Sequence, residues 1–542
     1  MDKLRKIVDS LIEQKISLAA FSATFLGIII LRIFEEQFIA KSVSISFYEV
    51  IIEIIHNLYF FIVSFILLWL LLSGILKTNP KKLAGVFTWA SLMILFPPLL
   101  DMIKTKGEVY WSFYIISSWK DLQLQFFTIF GHLPSGIVYF GTRIVFISAI
   151  IFLSALVFVR TKDILKSLIT AIFSYIILFF MGCFPTILAY IYYIFGGGKK
   201  LGDIQAFEIA QLFGSPNKIW GLTPPGFAYA FPFKLDLIYF PFLILLLLVI
   251  FYWMDAKKLW AVIGNFRYPQ LIYHAGLFFV GMGLGFLSYP ENFNLDIFSV
   301  FAVFTMILSI WLAWKASVIA NDIEDLEIDK ITNVRRPLPM GIFSMRDYAH
   351  LGITCFLLSL LGAVTVGTSF FVLLFVYQLI AWGYSCFPFR LKRFPVIATA
   401  VSATASLMVV FSGFILLTSD QAIHNVPWRI ILLLFLAYTL AIPIKDFKDI
   451  AGDKKHGVWT IPVLLGEQKG RLLVAASIFI VYMLSVFIIN EMRLFFWALF
   501  FAVVTFLAMI SPKIKPRKLP GTILSIVAVY GIILVYIVFL SK

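Results

Sequence analysis

Charge is what this chain lacks. Aspartate, glutamate, lysine and arginine together make up 13% of its 542 residues, about half the share of an ordinary soluble protein. That shortage excludes a water-soluble globular fold. Cysteine is scarce as well. Cys183, Cys355 and Cys386 are the full set of 3, scattered through apolar stretches without the even number or spacing of a disulfide or zinc framework. They are given no role. The glycine and proline clusters GGG and TPPG near residues 196 and 223 lack the following context of a phosphate-binding loop. No internal repeat is visible.

What is present is apolar bulk. Hydrophobic residues make up 61% of the chain, with 59 phenylalanines among them. Runs long enough to cross a bilayer, about 20 residues each, recur along the whole length. They predict an all-α, polytopic membrane protein of about fifteen transmembrane helices. The first, at 16–32, follows Lys3, Arg5, Lys6 and Lys15 and has no convincing cleavage site after it, so it is read as a retained anchor.

Placing alternate connections on opposite sides, with the N-terminus inside, puts about 30 basic residues inside and about 12 outside, as the positive-inside rule requires. The expected location is therefore the cell membrane, multi-pass, with the N-terminus cytoplasmic and the C-terminus outside. The net charge of +15 is then largely a topology signal facing anionic membrane lipids, and nucleic acid is not needed to explain it.

The basic connector at 256–270 divides the chain. Residues 1–255 form an N-terminal membrane module of about six helices, and residues 256–542 a second domain of about nine. In the first, Asp101 and Arg143 are polar features near the outer face, expected to neutralise each other between packed helices.

The remaining charge is concentrated in the second domain. The stretch NDIEDLEIDKITNVRRPLP, residues 321–339, sets Asp322, Asp325 and Asp329 three and four apart, so on a continuous helix they share one face, beside Asn321. KDFKDIAGDKKHG repeats the spacing with Asp446, Asp449 and Asp453. Both clusters follow spans separated by an even number of crossings, so they emerge on one side, which the basic count makes cytoplasmic. Carboxylate and amide oxygens suit a hard cation such as Mg²⁺, which shares its shell with phosphate oxygens. Lysines and arginines alongside suit the anion itself. A diphosphate satisfies both. An EF-hand does not fit, because its ligands need a different spacing and a central glycine.

These motifs resemble the two signatures of the UbiA superfamily of intramembrane prenyltransferases, N-D-x-x-D-x-x-x-D and D-x-x-D-x-x-x-D. YSCFPFRLKR, at 384–393, looks like that family's basic loop. The resemblance covers about 265–542 and leaves residues 1–255 outside. Glu324, Phe387 and Met340 depart from the family's usual residues, which bears on the acceptor more than on the reaction.

The resemblance implies a nine-helix bundle in which Mg²⁺, held by both clusters, grips an isoprenyl diphosphate, and a hydrophobic acceptor takes the isoprenyl group. It implies Asn321, Asp322, Asp325, Asp446 and Asp449 as catalytic residues. Asp322, Asp325, Asp329, Asp446, Asp449 and Asp453 are the implied metal ligands. Arg335, Arg336, Lys392, Arg393 and Lys445 are candidates for the diphosphate. Lys315, two turns before Asp322, and Tyr384 are further substrate-binding candidates; the bland readings are a counter-ion and an interfacial anchor. His456 reads as solvated. An ion-coupled transporter, or a lipid carrier fused to a prenyltransferase, is the alternative, although acids at helix ends rather than at mid-membrane argue against a carrier.

Overall fold

The structure, a computed structural model, describes residues 2–40, 47–105, 115–131, 140–224, 226–448, 450, 454 and 457–541. The described residues form helices joined by turns and loops, and the single β contact among them is one isolated bridge between Ile219 and Leu222. Among them, 14 helices are long and apolar enough to cross a membrane. The protein is an all-α, multi-pass membrane protein, as its composition predicts.

Two expected spans differ in detail. The helix Leu18–Ala40, which covers the first predicted span, carries Arg32, Glu35 and Glu36 towards its end and is not among the 14. The predicted span 168–195 is two helices, Ile164–Gly182 and Phe184–Phe195. The break falls at Cys183, where Pro185 suits the first turn of the new helix because that position needs no N–H donor.

The chain forms two compact units. One comprises residues 1–217 and 223–260, the other 218–222 and 261–542. In the first unit, Phe96–Thr105 packs on Phe140–Thr161 at Gly141, where a Cβ would lie 2.2 Å from the Pro97 carbonyl oxygen. Asp101 does not pair with Arg143 as expected. Its Oδ1 accepts the Gly141 N–H at 2.6 Å, while Arg143 Nη2 reaches the Thr128 carbonyl at 3.4 Å. The close crossing at Gly141 brings an N–H donor to Asp101 before any cation can arrive. Deeper in the unit, the buried Asp236 meets His56 Nδ1 at 2.9 Å.

Nine of the membrane-length helices among the described residues belong to the second unit. Tyr268–Ser288 crosses Pro395–Ile415 closely, because Gly281 and Gly413 let the backbones touch. A Cβ on either would stand 1.9–2.0 Å from a carbonyl oxygen of the other helix. Such small-residue contacts give van der Waals packing where lipid supplies no hydrophobic drive. Ile297–Glu324 packs along Met345–Val366. At the C-terminal end, the buried Arg471 donates to the carbonyls of Met509, Ser511 and Ile514, satisfying groups that the end of Phe495–Ile510 leaves open. These contacts fix which helix ends come together.

Candidate active site

Asn321 and Asp322 occupy the last turn of Ile297–Glu324. Asp325 (φ −99°, ψ 15°) interrupts the helix, and the chain resumes as the short helix Leu326–Thr332. The backbone bonds from the Asp325 N–H to Asn321 and from the Asp329 N–H to Asp325 persist at 3.0 and 2.8 Å. The break nevertheless divides the face that the 3-4 spacing predicts. Asp322 and Asp329 share Arg336, and Asp325 has other partners.

Asp322 is buried, with its side chain 1% exposed. Its Oδ1 accepts from Arg267 Nη2 at 2.9 Å and lies 3.1 Å from Arg336 Nη1. Its Oδ2 accepts from Asn265 Nδ2 at 2.8 Å and from the Tyr348 hydroxyl at 3.1 Å. Asp329, equally buried, pairs with Arg336 and accepts from Asn333 Nδ2 at 2.9 Å. Burial raises the Asp329 carboxyl above its ordinary value, opposed chiefly by Arg336. Burial and then Arg336 pull the Arg267 guanidinium down, while Asp322 and Asp329 pull it up. Arg336 therefore joins two carboxylates seven residues apart. Removing a partner from such a buried set costs about 3–5 kcal/mol, because a charge is left stranded.

Asp325 faces the basic loop. Arg390 Nη2 donates to its Oδ1 at 2.8 Å and Lys392 Nζ to its Oδ2 at 2.6 Å. Lys392 also donates to Asn321 Oδ1 at 3.0 Å, and the Ser385 hydroxyl donates to the same oxygen at 3.2 Å. Burial lowers the Lys392 ammonium below lysine's usual range, and Asp325 offsets part of that. Arg267 and Arg390 share an unusual backbone, with φ of 53° and 41°. Left-handed residues other than glycine cost about 1–2 kcal/mol each. Both stand immediately before a helical segment, Tyr268–Ser288 and Leu391–Arg393, and both turn a guanidinium onto an acid of the motif.

The structure thus gathers Asn321, Asp322, Asp325, Asp329, Arg336 and Lys392 of the residues expected from sequence. Lys315 lies apart from the acids. Its Nζ donates to the backbone carbonyls of Val262 and Asn265 at 3.2 and 3.1 Å and sits over the Phe266 ring, so it fastens the segment that carries Asn265 and Arg267. Arg335 and Arg393 are exposed, and Tyr384 is half-buried.

Asp446 and Lys445 lie in the helical turns Ile442–Lys448, Asp446 half-buried and Lys445 exposed. Asp449, Asp453 and His456 lie outside the described residues. Among the described residues, no three His, Cys, Asp or Glu side chains are grouped to hold a metal ion.

Sequence reasoning missed Asn265, Arg267, Tyr348, Ser385 and Arg390. Arg267 and Arg390 carried a signal: each lies in a basic connector just before a span. Asn265 and Tyr348 carried none.

Residues 276–520 match the UbiA prenyltransferase family, and no family matches the N-terminal half. A digeranylgeranylglyceryl phosphate synthase of Pyrococcus furiosus is 30% identical over 182 residues, covering 32% of this chain and 60% of the relative. The corresponding synthase of Pyrococcus horikoshii is 28% identical over 172 residues, 32% of this chain and 59% of the relative. The chain thus spans about three fifths of the length of these relatives. Among solved structures, a UbiA homolog from Archaeoglobus fulgidus bound to DMAPP and Mg²⁺ is 20% identical with a TM-score of 0.38, covering 50% of this chain and 97% of that one.

Proposed function

We propose that the second unit transfers an isoprenyl group from an allylic diphosphate to a hydrophobic acceptor within the membrane, releasing pyrophosphate. The observation that carries this reading is a set of three carboxylates and one amide, Asp322 and Asp329 buried and Asp325 and Asn321 half-buried, interleaved with Arg267, Arg336, Arg390 and Lys392. A site for one small ion needs no such mixture. A trianionic diphosphate arriving with a divalent cation uses both signs at once.

The donor set fits Mg²⁺, since Asp322, Asp325, Asp329 and the Asn321 oxygen are all hard oxygen ligands. These residues would hold it, with Asp446, Asp449 and Asp453 completing the site from the second motif. When bound, Mg²⁺ neutralises charge on the departing diphosphate. The arginines and Lys392 supply forked and point-charge donors to phosphate oxygens in a site with little water, where such contacts are strong. Lys315 holds the Asn265–Arg267 segment in place, and so acts on the anion through Arg267. Apolar helix surfaces receive the isoprenyl tail, and aromatic faces stabilise the allylic cation.

The relatives' product, a glyceryl phosphate bearing two geranylgeranyl groups, supports a lipid-like acceptor with a free hydroxyl. We place the acidic motifs on the cytoplasmic side, on the strength of the basic connections.

The test is pyrophosphate release by the purified full chain from geranylgeranyl diphosphate, with geranylgeranylglyceryl phosphate as acceptor. Release that depends on Mg²⁺ and is reversibly stopped by chelation is expected. Undiminished release in excess chelator, with carried-over metal excluded by analysis, overturns the metal-dependent reading.

A further inference from the structure

Deeper in the second unit than the acids, three helices bring His274, Trp314 and Tyr377 together. His274 lies about two turns, or 10 Å, along its helix from Arg267. Trp314 and Tyr377 lie a little over two turns, roughly 12 Å, back from Asp322 and Ser385 on theirs. Arg267 reaches Asp322, and Ser385 reaches Asn321. The three aromatic side chains therefore form one layer on the membrane side of the charged site.

The hydrogen bonds fix the protons of this layer. His274 Nδ1 lies 2.7 Å from the Gln270 carbonyl oxygen, which can only accept, so Nδ1 carries the proton of the neutral ring. Nε2 is then an acceptor, and the Tyr377 hydroxyl, at 2.9 Å, donates to it. Both side chains are buried, 6% and 3% exposed. The Trp314 ring stands 4.8 Å from the imidazole, and its indole N–H is buried with no hydrogen-bond partner. Gln378, beside Tyr377 on the buried face of Thr368–Ser385, is 5% exposed, and neither amide atom has a partner. A buried polar group without a partner is costly in a membrane bundle, and a polar ligand atom in this layer would satisfy these.

We infer that this layer seats the hydroxyl group of the acceptor, and that Tyr377 and His274 take its proton. The inference rests on the prenyltransferase reading and names the residues that receive the acceptor hydroxyl proposed above. A hydroxyl both donates and accepts. It matches an unmet indole N–H on one side and a phenol backed by an imidazole lone pair on the other; an aromatic carbon nucleophile needs neither.

In the step itself, a lone pair of the acceptor oxygen forms the bond to C1 of the isoprenyl group. The C1–O bond to the diphosphate breaks, and its electron pair leaves on the diphosphate. The acceptor's proton passes to the Tyr377 oxygen while the phenol's own proton moves to His274 Nε2. An ether, an imidazolium and free pyrophosphate result, and the imidazolium loses its proton to solvent as product leaves. His274 acts on the acceptor through Tyr377 and is a positioning and proton-holding residue.

The experiment uses the full chain with Mg²⁺, geranylgeranyl diphosphate and geranylgeranylglyceryl phosphate, and compares Tyr377→Phe and His274→Asn with the wild type. Each variant is expected to lose about a hundredfold in kcat/KM for the acceptor. Binding of geranylgeranyl diphosphate and its slow hydrolysis without acceptor stay within about twofold; a merely structural disturbance would depress those as well. Folded variants that bind the diphosphate and keep acceptor kcat/KM within about threefold overturn the inference. A wild type that binds the diphosphate but rejects this hydroxyl acceptor also overturns it. A wild type that binds no diphosphate overturns the prenyltransferase reading instead.

Discussion

Asp236 in the first unit and Asp322 in the second are both buried carboxylates, 2% and 1% exposed, and each has an ionisable partner at 2.9 Å. Their surroundings differ. Asp236 meets His56, and the pair links two helices. Asp322 is held by Arg267, Arg336, Asn265 and Tyr348 together, and Arg336 continues to Asp329. One acid with one partner is what helix packing needs to make burial tolerable. Three acids woven with four cations is more than packing needs, and two of those cations sit on left-handed backbone. On the proposed reading, the first is a pair that serves the fold and the second a set that serves a ligand.

Replacing the two acids in parallel is the strongest way to break this contrast. Asp322→Asn should lower turnover by about a hundredfold, close to 3 kcal/mol of transition-state stabilisation. Asp236→Asn should leave turnover within about twofold and act, if at all, on thermal stability. Pyrophosphate release and thermal unfolding of both variants check this.

Adding Asp446→Asn sharpens the account of the second motif. If Asp322 and Asp446 serve one diphosphate, the double variant should lose far less than the product of the single losses, because the clamp is already open. Fully multiplicative losses in folded protein would mean that the motifs act independently.

The adjacent arginines give a finer contrast. Arg336→Gln, which strips Asp322 and Asp329 of a shared partner, should reduce turnover by about tenfold or more. Arg335→Gln, on an exposed side chain, should change it by less than about twofold. Equal effects would mean that the ion pairs do not define the site.

Much of the architecture was legible because bilayer thickness translates directly into residue count. The break at Cys183 escaped because a single-residue interruption leaves the surrounding hydropathy unchanged. The acids of the first motif were legible from spacing, yet their arrangement was not, since the helix ends at Asp325 and divides the face. Lys315 shares the helix with Asp322 but turns to carbonyls of the preceding connector, which helical periodicity cannot anticipate. Asn265, Tyr348, His274 and Trp314 look ordinary in an apolar sequence. Only tertiary packing gives them polar neighbours, and no local spacing records that.

The most direct measurement is equilibrium binding of radiolabelled geranylgeranyl diphosphate to the purified full chain, with and without Mg²⁺, in the wild type and in the two aspartate variants. Saturable binding that requires Mg²⁺, survives Asp236→Asn and is abolished by Asp322→Asn is the expected result. Binding indifferent to both Mg²⁺ and Asp322, or lost with Asp236 in a protein that remains folded, would contradict the assignment of the diphosphate site to the second unit.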